Sequence, residues 1–141
     1  MDRKASAVWN GGLKDGKGEF SVPSGAFSHV PYSFTTRFEN APGTNPEELI
    51  AAAHASCFSM ALSAQLGAAS LTPESINTTA NLKMEKLEAG WAITTIHLDV
   101  TAKVPGADDA AFQKAAENAK AGCPVSKVLN AKISMTARLA Q

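Results

Sequence analysis

Two residues in this chain have side chains able to do sulfur chemistry, and they occupy very different settings. Cys57 lies inside the small-residue run AAAHASCFSMAL, and Cys123 lies at the break AGCPVSKVL. A thiol inside a buried helix and a second at a helix junction suit a pair that oxidises together, one attacking and the other resolving. The competing reading is two inert thiols, because free cysteine is among the most buried residue types. His54 stands one helical turn before Cys57. It either polarises that thiol or sits as a neutral, hydrogen-bonded histidine between helices. His29 and His97 have no ligand spacing to either cysteine, and without a CxxC or HxxxH arrangement zinc has no frame to bind.

The rest of the composition narrows the setting. Lys plus Arg equal Asp plus Glu at 13 each, so no net field and no basic run attracts nucleic acid or an anionic membrane surface. MDRKASAVWNGG has charge but no apolar segment behind it, which gives no secretory signal and makes a cytoplasmic location the expectation. In that reducing compartment two cysteines do not make a disulfide scaffold, and composition alone favours the inert reading. The 141 residues are expected to form one domain, 1–141.

Three antiparallel strands are expected at the start: SAVWN, GEFSV and VPYSFTTRFE, separated by LKDGKG and PSG. The clearest helix follows in GTNPEELIAAAHASCFSMALSAQLG, with Asn45 as N-cap, Pro46 in the first turn, Glu48 as a capping-box residue and Gly67 as the stop. INTTANLKMEKLE and WAITTIHLDVTAKV alternate as a hairpin joined by AG. DDAAFQKAAENAKAG reads as an amphipathic helix, PVSKVL as a short helix opened by Pro124, and AKISMTARLA as a last strand. Clustered strands of this kind indicate an α+β fold with antiparallel sheets.

The long helix has no formal charge between Glu48 and Gly67 apart from His54, and small residues fill its middle. Its length approaches a membrane span, but His54, Ser56, Ser59, Ser63 and Gln65 make it a poor one, and no membrane partner is expected. Such a helix wants cover on every side. An identical helix from a second chain, crossing at small-residue contacts, is the simplest cover, so an obligate homodimer is expected.

RFE at 37–39, GTNPEELIAAAHASCFSMAL at 43–62 and AGCPVSKVL at 121–129 resemble the OsmC family of thiol peroxidases, relatives of the organic hydroperoxide resistance proteins. The resemblance implies an intertwined homodimer in which antiparallel sheets wrap a central buried helix. It also implies reduction of organic hydroperoxides, and less efficiently of hydrogen peroxide. Cys57 would be the attacking thiol that becomes a sulfenic acid, Cys123 would close a disulfide with it, and an external dithiol, of lipoyl type, would reopen it. No metal, haem or flavin cofactor is implied. Arg37 would lower the Cys57 pKa, and Glu47 would orient Arg37 through a bidentate pair. Lowering a thiol by two units takes about 2.7 kcal/mol of differential stabilisation.

The residues keep their own readings beside this. Glu47 also suits the positive end of a helix, and Arg37 also suits a solvated strand position. Cys123 at a helix N-cap would, on local physics alone, be the attacker, which is the reverse of the family's assignment. Phe34, Phe58, Met60 and Val125 would line an apolar entrance or simply pack the core. Glu47 and Cys57 are ten residues apart on one helix, about 15 Å along its axis, so a site using both is expected to draw on two subunits. The alternative function is a non-catalytic dimeric redox-sensing or ligand-binding module on the same fold.

Overall fold

In the computed structural model, which describes residues 1–141, the chain forms two units, Met1–Leu49 and Ile50–Gln141. The first holds β1 (Ser6–Asn10), β2 (Lys17–Ser21) and β3 (Val30–Tyr32), an antiparallel sheet in that order. Aromatic rings substitute for a larger core: Trp9 packs on Tyr32 at 5.5 Å between ring centres, and Phe20 on Tyr32 at 6.0 Å. Gly18 lies beneath them, where a Cβ would come within 2.6 Å of both the Trp9 and Tyr32 rings. Only glycine lets those rings close over the sheet.

The third expected strand, VPYSFTTRFE, stops early. Ser33 takes an extended conformation, accepts from the Thr36 N–H, and receives the Thr36 hydroxyl as partner for its own N–H, a capping box that starts α1 (Phe34–Phe38). Arg37 therefore stands on a helical turn and not on an alternating strand. The β-prone Phe and Thr residues hid the cap, and a local hydrogen-bond exchange outweighed their propensity.

α2 (Pro46–Ala68) starts as expected, with Asn45 Oδ1 accepting from the Glu48 N–H at 2.8 Å. Glu48 does not close the capping box; its carboxylate takes the Thr44 hydroxyl instead. Nor does Gly67 stop the helix. Leu71 N–H bonds back to Leu66 C=O and Ser70 N–H to Gly67 C=O, with Ser70 left-handed at φ 59°, a Schellman end with serine in the usual glycine position.

In the second unit β4 (Ser75–Leu87) and β5 (Gly90–Lys103) form the long hairpin, and β6 (Lys132–Ala140) joins β5 in the order β4-β5-β6. The expectation of antiparallel sheets fails for the last pair, because β6 runs parallel to β5. A parallel return needs a crossover, and α3 (Asp109–Gly122) with α4 (Pro124–Val128) supplies it. Asp108 caps α3 by accepting from the Ala111 N–H at 2.7 Å.

Alternation on β5 puts Ile96, Leu98, Val100 and Ala102 into one core with Phe112, Ala116 and Ala119 of α3 and with Phe58, Leu62 and Leu66 of α2. Truncating Phe58, which has no exposed surface, to Ala is expected to cost about 3–5 kcal/mol. α2 is apolar throughout, yet the chain covers only the stripe His54, Phe58, Leu62 and Leu66. Its opposite stripe, Ala52, Ser56, Met60, Ser63 and Gly67, is exposed. By length and composition α2 could cross a membrane, with a mean hydropathy of 1.4, but its buried stripe is a component of a protein core.

Candidate active site

Cys57 lies beside the buried stripe of α2, one residue before Phe58, and is half-buried. Cys123 closes α3, its N–H bonding to Ala119 C=O at 2.8 Å, and also opens α4. Pro124 dictates this break: it cannot extend the preceding helix, and it holds Cys123 in extended backbone at φ −57°, ψ 124°. The side chain of Cys123 is thereby turned into the core, with no exposed surface. Both thiols are reduced, and their sulfurs lie 3.1 Å apart. A disulfide bond is about 2.05 Å long, so about 1 Å of approach would close one.

The two sulfurs are electrostatically unequal. Burial pushes the Cys57 thiol up, and its hydrogen bond with Cys123 raises it further, outweighing the Val125 N–H that favours its thiolate. Burial also pushes Cys123 upward, but the Ser126 N–H, the Cys57 thiol, the Ser126 hydroxyl and the Val125 N–H together leave it below the ordinary thiol value. Those N–H groups face the sulfur as nearby dipoles without completing a formal side-chain cap. The contact between the sulfurs is symmetric in distance; we take Cys57 as the donor because the remaining donors converge on Cys123. Within the chain by itself, local physics therefore favours the thiolate on Cys123.

His54 has no exposed surface, and its Nε2 lies 2.7 Å from Ser126 Oγ, while Nδ1 has no partner. Burial lowers its pKa, favouring the neutral ring. Of its two sequence readings, the hydrogen-bonded neutral histidine describes this arrangement. Ser126 was not singled out from the sequence; the signal was its place in CPVS, in the first turn after Cys123, where its N–H and hydroxyl face back toward residue 123.

In the first unit Arg37 and Glu47 form a bidentate pair, Nη2 to Oε1 at 2.5 Å and Nε to Oε2 at 3.3 Å. Hydrogen bonding to Glu47 raises the Arg37 pKa further, against the opposing effect of burial. The guanidinium also lies over the Phe38 ring at 5.1 Å. Glu47, only 14% exposed, is the best-shielded partner in any ion pair of the chain. The four expected site residues thus come as two preformed pairs. Of the expected entrance residues, Phe58 is core, Phe34 stacks on Phe38 at 4.8 Å, Val125 packs against the core, and Met60 is exposed. His29 pairs with Glu19, and His97 with Ser134 and Thr136.

The family model described as OsmC-like protein matches residues 38–138, a span that takes in Glu47, Cys57 and Cys123 and begins one residue after Arg37. The peroxiredoxin OsmC of Escherichia coli (strain K12) is 53% identical over 139 residues, covering 99% of this chain and 97% of that protein. An organic hydroperoxide resistance protein of Xanthomonas axonopodis pv. citri is 31% identical over 99 residues, covering 70% of this chain and 68% of its own length. Among solved structures, an OsmC like protein from Mycoplasma pneumoniae superposes with a TM-score of 0.77 at 14% identity, covering 100% of this chain and 99% of that one.

Proposed function

The chain belongs to the OsmC-like family, and from that premise we propose that it is a thiol-based peroxidase that reduces organic hydroperoxides, and hydrogen peroxide less efficiently. The observation that carries the reading is two reduced thiols held 3.1 Å apart, able to bond to each other after one of them is oxidised. The Cys57 thiolate attacks the distal peroxide oxygen; the O–O bond breaks, the alkoxide takes a proton and leaves as alcohol, and Cys57 becomes a sulfenic acid. Cys123 condenses with it, releasing water and forming the disulfide. An external dithiol, of lipoyl type, returns both to thiols. Sulfur alone carries the two electrons, so the cycle needs no prosthetic group.

Cys57 is assigned as attacker although the chain by itself raises its pKa. It is the half-buried thiol, the one a peroxide can reach, whereas Cys123 has no exposed surface. The charge it needs is assigned to Arg37, held by Glu47. Because Glu47 and Cys57 are about 15 Å apart along one helix, we assign that charge to the other subunit of a homodimer, with residues 1–141 of each chain acting as one intertwined domain. The exposed stripe of α2 supports a dimer: it is small-residue throughout except Met60, and the Ser56 hydroxyl at its middle is already bonded to Ala52 C=O and Ala53 C=O. Thiols that must be re-reduced each cycle fit a cytoplasmic location.

Cumene hydroperoxide consumption with excess dithiol tests the reading. Sustained turnover is expected, together with loss of all reaction in Cys57→Ser and accumulation of sulfenic acid at Cys57 in Cys123→Ser. A chain that oxidises once and stops would be a redox sensor, and the reverse mutant pattern would exchange the two cysteine roles.

A further inference from the structure

His54, Ser126 and Cys123 meet in one buried layer. Ser126 Oγ is 2.7 Å from His54 Nε2, and Ser126 stands three residues after Cys123, in the first turn of α4. A serine has one hydroxyl hydrogen and cannot donate to the histidine and the sulfur at once. The unpartnered Nδ1 of His54 decides between them. With its hydrogen on Nδ1, the ring would bury an orphaned N–H and Nε2 would take the serine hydrogen. With the hydrogen on Nε2, the ring donates to Ser126 and only an acceptor lone pair goes unmet, which folded proteins tolerate more readily than an orphaned donor. The serine hydrogen is then free for the sulfur.

We propose that His54 and Ser126 are positioning residues for Cys123: the His54 Nε2–H fixes the Ser126 hydroxyl as a donor to the Cys123 sulfur, preparing that sulfur to attack Cys57 once Cys57 is oxidised. The groups facing this layer are His54 and Cys57 from α2 and Val125 and Ser126 from α4. The His54–Ser126 hydrogen bond is set by geometry, and the use of the relay in resolution rests on the peroxidase reading. In that step the Cys123 sulfur attacks the sulfenic sulfur of Cys57. The S–S bond forms, the S–O bond breaks, Cys57 is reduced and Cys123 oxidised, and the departing hydroxide takes up the proton that Cys123 released, leaving as water. A sulfur prepared to give up its proton makes condensation outrun a second oxidation of Cys57 to sulfinic acid.

In Cys57→Ser, Cys123 is the only thiol, and thiolate ultraviolet absorbance against pH reads its ionisation directly. Adding Ser126→Ala is expected to raise the midpoint by about one pH unit, and Ser126→Thr, which keeps the hydroxyl, to restore it. An unmoved midpoint in Ser126→Ala overturns the relay. Nitrogen NMR of the unaltered chain gives a second reading that needs no variant to fold: a neutral Nε2–H ring at His54 is expected, and an Nδ1–H ring overturns the proposal. In otherwise unaltered protein given cumene hydroperoxide, Ser126→Ala is expected to slow disulfide formation about tenfold relative to sulfenic acid formation. If the unaltered chain consumes no hydroperoxide while the midpoint still moves, the peroxidase reading fails and the relay stands.

Discussion

The Arg37–Glu47 pair and the Cys57–Cys123 pair are built by opposite physics. The first is fully charged, planar and bidentate, with the arginine one-third exposed. The second is neutral and lies among Phe58, Leu62 and Ala119, with only hydroxyl, thiol and N–H dipoles to act on it. Burial works against the Cys57 thiolate, because it takes the charged form out of water. A guanidinium is costly to bury unpaired, so it arrives with its own carboxylate. Each region thus supplies what the other lacks. The proposed division of labour is that the cation of one chain serves the sulfur of the other when two chains assemble.

The largest expected effect comes from breaking that assembly. Ser56→Glu on the exposed stripe of α2 is expected to give a monomer by sedimentation and a hydroperoxide rate down by about 25-fold or more, because Cys57 loses the charge supplied by the other subunit. A monomer with full turnover would end the two-subunit site. Arg37→Met in an intact dimer should lose about 25-fold at neutral pH, with the rate recovering as pH rises and the Cys57 thiolate forms without help. Equal loss at all pH values would show that Arg37 binds substrate instead of tuning the thiol. Glu47→Gln keeps the guanidinium but releases one arm of its clamp, so a smaller loss, about tenfold, is expected in the same assay.

The smallest effect belongs to the neutral region and concerns stability. The folded-state pKa of His54 lies below its unfolded value of about 6.5, because burial disfavours the imidazolium. Its contribution is therefore fully present above about pH 6.5 and is lost as pH falls toward the depressed folded value, where the unfolded chain binds the extra proton. Denaturant titrations of His54→Gln should show a shallower loss of stability below pH 6.5 than the unaltered chain; parallel curves would mean that His54 is not the group being titrated.

Much of the fold was legible because its signals are local. Asn45-Pro46 opens α2, Asp108 caps α3, Pro124 opens α4, and the period-two pattern of residues 75–103 gives the hairpin. The misses were places where a local bond or a distant pairing outweighed propensity. Ser33 and Thr36 exchanged bonds and turned an apparent strand into α1, and the direction of β6 depended on a crossover that no residue of β6 encodes. Ser126 escaped notice because its importance lies in a histidine 72 positions away.

By itself the sequence determined the cast: two cysteines of contrasting setting, an arginine and a glutamate able to pair, and a helix too apolar for solvent on all sides. Tertiary structure alone decided which sulfur is favoured as thiolate within one chain, that His54 bonds to Ser126, and that Arg37 pairs with Glu47 and Cys57 with Cys123. The physical reason is that residue type and spacing fix what a side chain can donate or accept, whereas its protonation is set by which dipoles and how little water surround it after packing.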